Sequence, residues 1–430
     1  MANKMDIIKN LKFQILACFT VSLMTMVSAS ALELTIADAE QVAVQNDPKI
    51  REYQARSESY MEESVAEASW PDPKLKFGTA NVPISGFDFK KEPMTQIILG
   101  FQQVIPPGDI RNQKKEKRLL QAEVQRAKSM ARALLVLQNL RKAWMEAYYY
   151  QQALALISES EEVFDQLVKI TQYQYRAGRS QQQDVVRAQL ELSILKDKEN
   201  FFRQQFAASL ASLEKWTGAS VRKHTLSPLF PDLPPLPNID ALRENVEFHP
   251  AMSIQKALLG EARKDVAIVK QTYKPTWMID VSYGFRQGET ALGGDQFENR
   301  ADFLSAMVTM DLPFFTSKRQ DKRLNAKGQK VNAASDAIDS QRRDLEMLLE
   351  TAYSNWENLG ERLEYYKTTV LPQASQFAEI SRKSYQSQVS DFSELSRARL
   401  RELDMKLQAL RIRVERAKSH YDLRFIAGET

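Results

Sequence analysis

The sequence predicts a mostly α-helical chain that contributes strands to a membrane β-barrel. Three observations lead there. The stretch from Ile110 to Tyr175 keeps a helical pattern over a length that implies roughly 100 Å of helix at 1.5 Å per residue, yet it is too dense in Lys, Arg, Gln and Glu to be a membrane span. The passage that ends it recurs. Tyr385, Ser390, Glu394, Leu395, Arg397 and Ala398 stand at one constant offset from Tyr175, Ser180, Asp184, Val185, Arg187 and Ala188, which marks an internal duplication. Between the helices lie only four segments of alternating period, grouped as two hairpins far apart in the chain.

The first residues read as an export signal. Lys4, Lys9 and Lys12 precede the apolar run Phe13 to Val27, and Ala29-Ser30-Ala31 follows. Cleavage is expected after Ala31, at the small-residue site formed with Ala29. A transmembrane anchor is the alternative, and the run is short for one. Cys18, the only cysteine, lies inside this run. Bulky Leu16 before it and apolar residues after it speak against lipid attachment. The mature chain would then offer no disulfide or thiol chemistry. No later apolar run approaches the ~18 residues of a spanning helix, so the mature protein is soluble or enters a membrane by strands.

The elements follow in order. Leu34 to Ala68 reads as helix, with Asp47-Pro48 as a start signal, and Pro71-Asp72-Pro73 stops it. Leu75, Phe77 and Thr79 alternate with Lys74, Lys76 and Gly78; after a polar loop, Ile97, Leu99 and Phe101 alternate to Pro106-Pro107. This is a hairpin over about 73–106. Helix runs from Ile110 to Tyr175, turns through Gly178, and returns from Ser180 to Trp216, with Ser180 and Gln183 fitting a capping box. Prolines break residues 218–238. His249-Pro250 then opens a helix to Tyr273. Trp277 to Phe285 and Leu304 to Leu312 alternate around a Gly- and Asp-rich loop at 287–301, a second hairpin over about 276–313. Helix from Lys318 to Tyr385 must end or kink near Pro372, and the last helix covers Ser393 to Ile426. The expected organisation is thus a signal at 1–31, a first repeat at 32–217, a linker at 218–238 and a second repeat at 239–430.

The composition excludes more than it names. With 59 basic and 55 acidic side chains the net charge is +4, and no basic motif with interleaved aromatics suggests nucleic acid. His224, His249 and His420 are scattered; with no ligand spacing and no cysteine, no metal site is expected, and each reads as an ordinary surface or packing residue. Met278, Met307 and Met310 lie in strands and read as filling, with soft-cation transfer the alternative. No phosphate loop or nucleophile motif appears, so no catalytic residue, cofactor or enzymatic activity is expected.

The strands force an assembly. One face of each is apolar, and the flanking helices are polar. Taken alone, such a sheet could pack on helices in a soluble protein. In lipid, open sheet edges are not tolerated, and bacterial barrels need at least about eight strands. One chain cannot close. Two copies would give about eight strands and a filled interior; three would give a 12-stranded barrel with room for a conduit. A homotrimer follows from the demand for a passage, with the helical hairpins continuing it as an α-barrel.

At this point the whole mature chain resembles the outer-membrane efflux protein family typified by TolC. The resemblance rests on Asp47-Pro48 and His249-Pro250, the Pro before each hairpin, Val104-Ile105-Pro106, Asp311-Leu312-Pro313, and the turn with Tyr175, Gly178 and Asp184. Leu371-Pro372-Gln373-Ala374, Tyr385 and Arg397-Ala398 look closest to the heavy-metal branch of the CzcC and CusC type. The resemblance implies a trimer in the outer membrane of a Gram-negative bacterium, with its α-helical tunnel in the periplasm. It implies a periplasmic adaptor and an inner-membrane pump, of RND type, as partners, with heavy-metal cations as a candidate cargo. It places adaptor docking at the helix turns, with Tyr175, Gly178, Ser180, Asp184, Tyr385 and Ser390.

The second turn departs from the family pattern: Gln388, Val389 and Ser390 replace Gly and a basic residue. If an acidic ring gates the channel, Asp391 and Glu394 are the candidates. The simpler alternative is that acids in a first helical turn complement its dipole. The basic clusters Lys114, Lys115, Lys117, Arg118 and Lys318, Arg319, Lys322, Arg323 follow the hairpins, where they meet lipid headgroups or only solvent. A soluble periplasmic coiled-coil adaptor or scaffold without a pore is the competing function.

Overall fold

The computed structural model describes residues 34–218, 226–293 and 295–429, with only the backbone of 291–293. The expected signal, with Ala29, Ala31 and Cys18, lies outside the described residues, as does His224. The elements are α1 (Ile36–Asn46), α2 (Pro48–Ala68), β1 (Lys74–Ala80), β2 (Gln96–Ile105), α3 (Ile110–Arg176) and α4 (Gln182–Thr217). Then come α5 (Ile239–Val246), α6 (Pro250–Gln271), β3 (Trp277–Phe285), β4 (Glu289–Gly293), β5 (Gln296–Asn299) and β6 (Phe303–Met310). The chain ends with α7 (Gln320–Tyr365), a π-helical turn (Tyr366–Val370), α8 (Leu371–Gln386) and α9 (Phe392–Ile426). Among the described residues, no helix is long and apolar enough to cross a membrane.

The helix from Ile110 spans 67 residues, as its pattern predicts. The helical stretch expected over Leu34 to Ala68 is two helices, and the second starts at Pro48, where Asp47-Pro48 gives a start signal. Asp47 is extended (φ −66, ψ 117) because the proline that follows disfavours the α region, and its carboxylate accepts the Ile50 N–H at 2.9 Å to cap α2. Pro372 neither ends the helix nor leaves it regular. It has no N–H to offer, and the ladder widens before it: the Leu371 N–H bonds the Tyr366 carbonyl across a π-turn.

Two compact units divide the chain, and each draws on both sequence halves. Of the described residues, one takes 34–46, 139–218, 226–234 and 359–418; the other takes 47–138, 235–293, 295–358 and 419–429. In the first unit, Phe164, Leu167, Ala188 and Leu195 pack with Tyr385, Phe392, Leu395 and Leu403 in one core. The Pro-rich connection is held there too. Phe230 meets Tyr148 edge-on at 5.5 Å, the Arg413 guanidinium lies 3.8 Å from the Phe230 ring, and Gln151 donates to the Leu226 carbonyl at 3.1 Å. Glu146 accepts from Arg411 at 2.8 Å and also pairs with Lys418.

In the second unit, Leu242, Val246 and Met252 form a core with Leu345, Leu349, Leu423 and Ile426. Helix α5, absent from the sequence reading, supplies the first two; Asn238 caps it through the Ala241 N–H at 2.8 Å. His249 is 2% exposed, so it is no surface histidine. It stands before Pro250 as Asp47 stands before Pro48, and its Nδ1 accepts the Ala251 N–H at 3.1 Å to cap α6.

The sheet also belongs to this second unit. Its order is β1-β2-β3-β6, antiparallel throughout. The hairpins separated in sequence are joined by β2 and β3, from Ile97 opposite Phe285 to Ile105 opposite Trp277. Alternation sorts the faces. Leu75, Phe77 and Thr79 share one with Leu99, Phe101, Val281 and Leu304, and it is bare: Leu75 is 75% exposed, Phe77 80% and Leu304 77%. On the other face Lys76 pairs with Asp280 across an intervening strand. Gly100 stands between them; a Cβ there would meet Ser282 Cβ at 3.1 Å, so its missing side chain leaves the path. The outer edges of β1 and β6 have no strand partner among the described residues.

The loop expected at 287–301 folds as a further hairpin, β4 with β5. Its Gly and Asp content hid the alternation. Arg300 donates to the carbonyls of Lys90 (3.1 Å), Glu92 (3.2 Å) and Gln287 (3.2 Å), and Arg286 to Pro93 (3.1 Å), which ties this loop to the one between β1 and β2.

Candidate functional site

The residues singled out in the repeat converge, in the first unit, on two helix turns. Tyr175 is in the last turn of α3. The chain then reverses with Gly178 at φ +70, and the bonds Ala177 N–H to Tyr173 O (3.0 Å), Gly178 N–H to Tyr175 O (2.9 Å) and Arg179 N–H to Gln174 O (2.8 Å) close the turn. After α8 the same bonds recur: Ser387 to Lys383 (3.0 Å), Gln388 to Tyr385 (3.1 Å) and Val389 to Ser384 (2.9 Å). Gln388 takes the left-handed place of the glycine, at φ +61.

The caps differ from the sequence reading by one position. Ser180 and Gln183 do not form the box. Gln181 is the N-cap of α4, and its N–H reaches the Asp184 carboxylate at 3.4 Å. Ser180 instead donates to the Thr171 carbonyl at 3.4 Å, back on α3. In the second turn Asp391 Oδ1 accepts the Glu394 N–H at 3.0 Å, so this carboxylate serves as a helix cap.

Side chains from both turns line one open cavity of about 350 Å³. Ser180, Asp184, Tyr385, Ser390 and Asp391 border it, so most of the anticipated positions do meet. Tyr175, Gly178 and Glu394 do not border it; Tyr175 is 47% exposed, and Glu394 lines a separate cleft with Phe377, Arg397 and Arg401. The equivalent tyrosines therefore have unlike surroundings. Tyr385 is 8% exposed, lies edge-on to Phe392 at 6.1 Å and donates its hydroxyl to Gln174 Oε1 at 2.6 Å. Burial, reinforced by the Asp184 carboxylate, pushes the Tyr385 phenol up to about 12. Arg187 bonds Ser393 across the same pair of hairpins.

Sequence reasoning missed Gln174 and Phe392. Each has a signal only in hindsight of the fold: Gln174 is an unremarkable polar residue on a polar helix, and Phe392 is the apolar residue that opens α9. The cavity is polar and open, with no nucleophile–base pair. Among the described residues, no cluster of His, Cys, Asp or Glu could hold a metal ion.

A model of the outer membrane efflux protein family matches residues 242–429, somewhat less than half of the chain. No curated protein matches it. Solved structures do. CusC, described in connection with transmembrane channel formation, has a TM-score of 0.76 at 11% identity, with 93% of each chain covered. VceC, an outer membrane protein from Vibrio cholerae, gives 0.75 at 13%, covering 92% of this chain and 96% of its own. CmeC, an outer membrane channel from Campylobacter jejuni, gives 0.74 at 12%, covering 91% and 85%. At such identities the likeness is one of fold, and the fold is that of outer-membrane channel proteins. CusC is no nearer in sequence than the other two, so the likeness carries no choice of branch.

Proposed function

We propose that the chain belongs to the outer membrane efflux protein family and forms the passive exit duct of a tripartite efflux system. The observation that carries this reading is the sheet. It has four strands, two edges without a strand partner among the described residues, and one bare apolar face. A sheet of this kind is stable in lipid only when its edges are joined to further strands. Three copies supply a 12-stranded barrel with an open interior, and the even strand number keeps every junction antiparallel. The family match over the second half and the fold likeness over most of the chain support the same reading. The chain is then no enzyme, and it needs no cofactor.

On this reading the protein sits in the outer membrane of a Gram-negative bacterium with its long helices in the periplasm. The turns bearing Tyr175, Gly178, Ser180, Asp184, Tyr385 and Ser390 receive the adaptor, and an inner-membrane pump of RND type supplies the cargo. Asp391 and Glu394 are the acidic candidates for a gate. Asp391 is already engaged as a cap, which favours a structural part for it and leaves Glu394 the freer carboxylate. Heavy-metal cations are the cargo class that the branch resemblance suggests.

Fractionation and conductance test the proposal together. The mature protein should resist carbonate and high-salt extraction from outer membranes and conduct in planar bilayers. A protein released by salt, with no conductance, would instead be a periplasmic scaffold. Deletion that sensitises cells to divalent cations but not to organic toxicants would select the metal branch.

A further inference from the structure

The basic clusters that follow the hairpins look alike in sequence and behave differently in the fold. In the first, Lys114 pairs with Glu67 at 3.0 Å, Lys117 with Asp265 at 2.7 Å and Arg118 with Glu63 at 3.1 Å, so these cations join α3 to α2 and α6. In the second, Lys318, Arg319, Lys322 and Arg323 are all exposed. Arg319 donates to Gln320 Oε1 at 3.2 Å, and among the described residues no carboxylate pairs with any of them. Asp321, the nearest acid in sequence, is engaged by the Tyr273 hydroxyl at 2.6 Å.

The residues just before this second cluster are bare. Phe314 is 75% exposed and Phe315 88%. They follow the end of β6, where Met310 pairs with Trp277, itself 41% exposed. Bare Leu312, Phe314 and Phe315 thus follow the last strand of the apolar sheet face in the chain, and a set of unneutralised cations follows them. Aromatic side chains flank the apolar band of a membrane barrel at its edges, and lysines and arginines beside them attract headgroup phosphate.

We infer that Phe314, Phe315, Lys318, Arg319, Lys322 and Arg323 form a docking surface for phospholipid, with the rings among the upper acyl chains and the cations on the headgroup phosphate. The surface rests on the outer-membrane reading and deepens it. Lys114, Lys117 and Arg118 of the first cluster take no comparable part; their charges hold helices together.

The test uses the full mature protein, purified from outer membranes in a neutral detergent, with dioleoylphosphatidylglycerol or dioleoylphosphatidylcholine added to the micelles. Thermal unfolding and retained lipid, counted by native mass spectrometry, are the readouts. Phosphatidylglycerol should raise the unfolding temperature and stay bound, phosphatidylcholine should do so less, and salt should weaken both effects. Replacing Lys318, Arg319, Lys322 and Arg323 by Gln should weaken phosphatidylglycerol binding by roughly tenfold or more. Changing all of them to Lys or Arg should keep it, and Phe314→Ser with Phe315→Ser should weaken both lipids. Equal lipid retention by wild type and the Gln variant would overturn the inference. So would a Gln variant that falls from oligomer to monomer, since a second copy would then be what covers the surface. Failure of the wild-type protein to reach the outer membrane would sink the functional proposal instead, a result visible before any lipid is added.

Discussion

Gly178 and Gln388 hold the same left-handed backbone at equivalent places in the two turns, φ +70 and +61, with equivalent hydrogen bonds around them. Only one of them is a residue that adopts this conformation without cost. Nothing lies within 4 Å of where a Gly178 Cβ would be, so the difference is one of backbone strain and not of packing. Gln388→Gly should raise stability by about 1 kcal/mol, and Gly178→Ala should lower it by a similar amount. Urea unfolding of the detergent-solubilised protein measures both; a stabilising Gly178→Ala would contradict the equivalence.

Tyr385 makes the joint between the turns. Tyr385→Phe keeps the ring against Phe392 and removes the bond to Gln174, for a loss of about 1 kcal/mol. The phenol also links the joint to alkaline pH. Its folded value is about 12 against an ordinary 10.0, so the folded state holds the proton longer. The stability it contributes is complete below pH 10 and is lost as pH rises towards 12. Stability measured across that window should fall more steeply for the wild type than for Tyr385→Phe.

His249 gives a second pH dependence, of opposite sense. Its Nδ1 must be unprotonated to accept the Ala251 N–H, and burial lowers its pKa from the ordinary 6.5. A depressed histidine stabilises fully above the unfolded value, and that contribution is lost as pH falls below 6.5 towards the folded value. His249→Asn retains a capping oxygen without a titrating group. The variant should flatten the acid limb of the stability profile. An unchanged limb would place the acid sensitivity elsewhere.

Glu146 is half-buried between Arg411 and Lys418. Burial alone would raise its pKa, but the hydrogen bonds and charges of these partners outweigh it and hold the carboxylate below the usual 4.5. Glu146→Gln takes one carboxylate away from Arg411 and Lys418, which both keep Glu415, at 3.1 and 3.0 Å, so about 1 kcal/mol of stability should go with it. The wild-type contribution is present above pH 4.5 and lost as pH falls below it, so the gap between the two proteins should narrow in acid. A gap independent of pH would mean packing, not charge, is what Glu146 supplies.

Much of the fold can be read in the residues, because long periods and prolines are local signals. The strand alternation from Trp277 to Phe285 and the helix from Ile110 needed no partner to be recognised. Elements set by tertiary contacts were not legible. Helix α5 is short and has meaning only against Leu345 and Leu423. The β4–β5 hairpin is anchored in part by Arg300, whose carbonyl acceptors at Lys90 and Glu92 lie far away in sequence. The repeat identified the tyrosines of both turns but not their unlike burial, since the residue that receives Tyr385, Gln174, has Ser384 as its equivalent in the other turn. His249-Pro250 was legible as a helix start, but the capping bond from the Ala251 N–H to Nδ1 and the burial of the ring depend on contacts the sequence does not display.

The central claim, that several chains share one closed sheet, is most directly tested by cysteine pairing between the free edges of β1 and β6. Phe77→Cys combined in turn with Leu304→Cys, Ala306→Cys or Val308→Cys scans the register on a mature chain expected to contain no other thiol. After oxidation in outer membranes, denaturing gels should show linked dimers and trimers for at least one pair. Only monomers for every pair, from a protein that still inserts, would contradict the shared barrel.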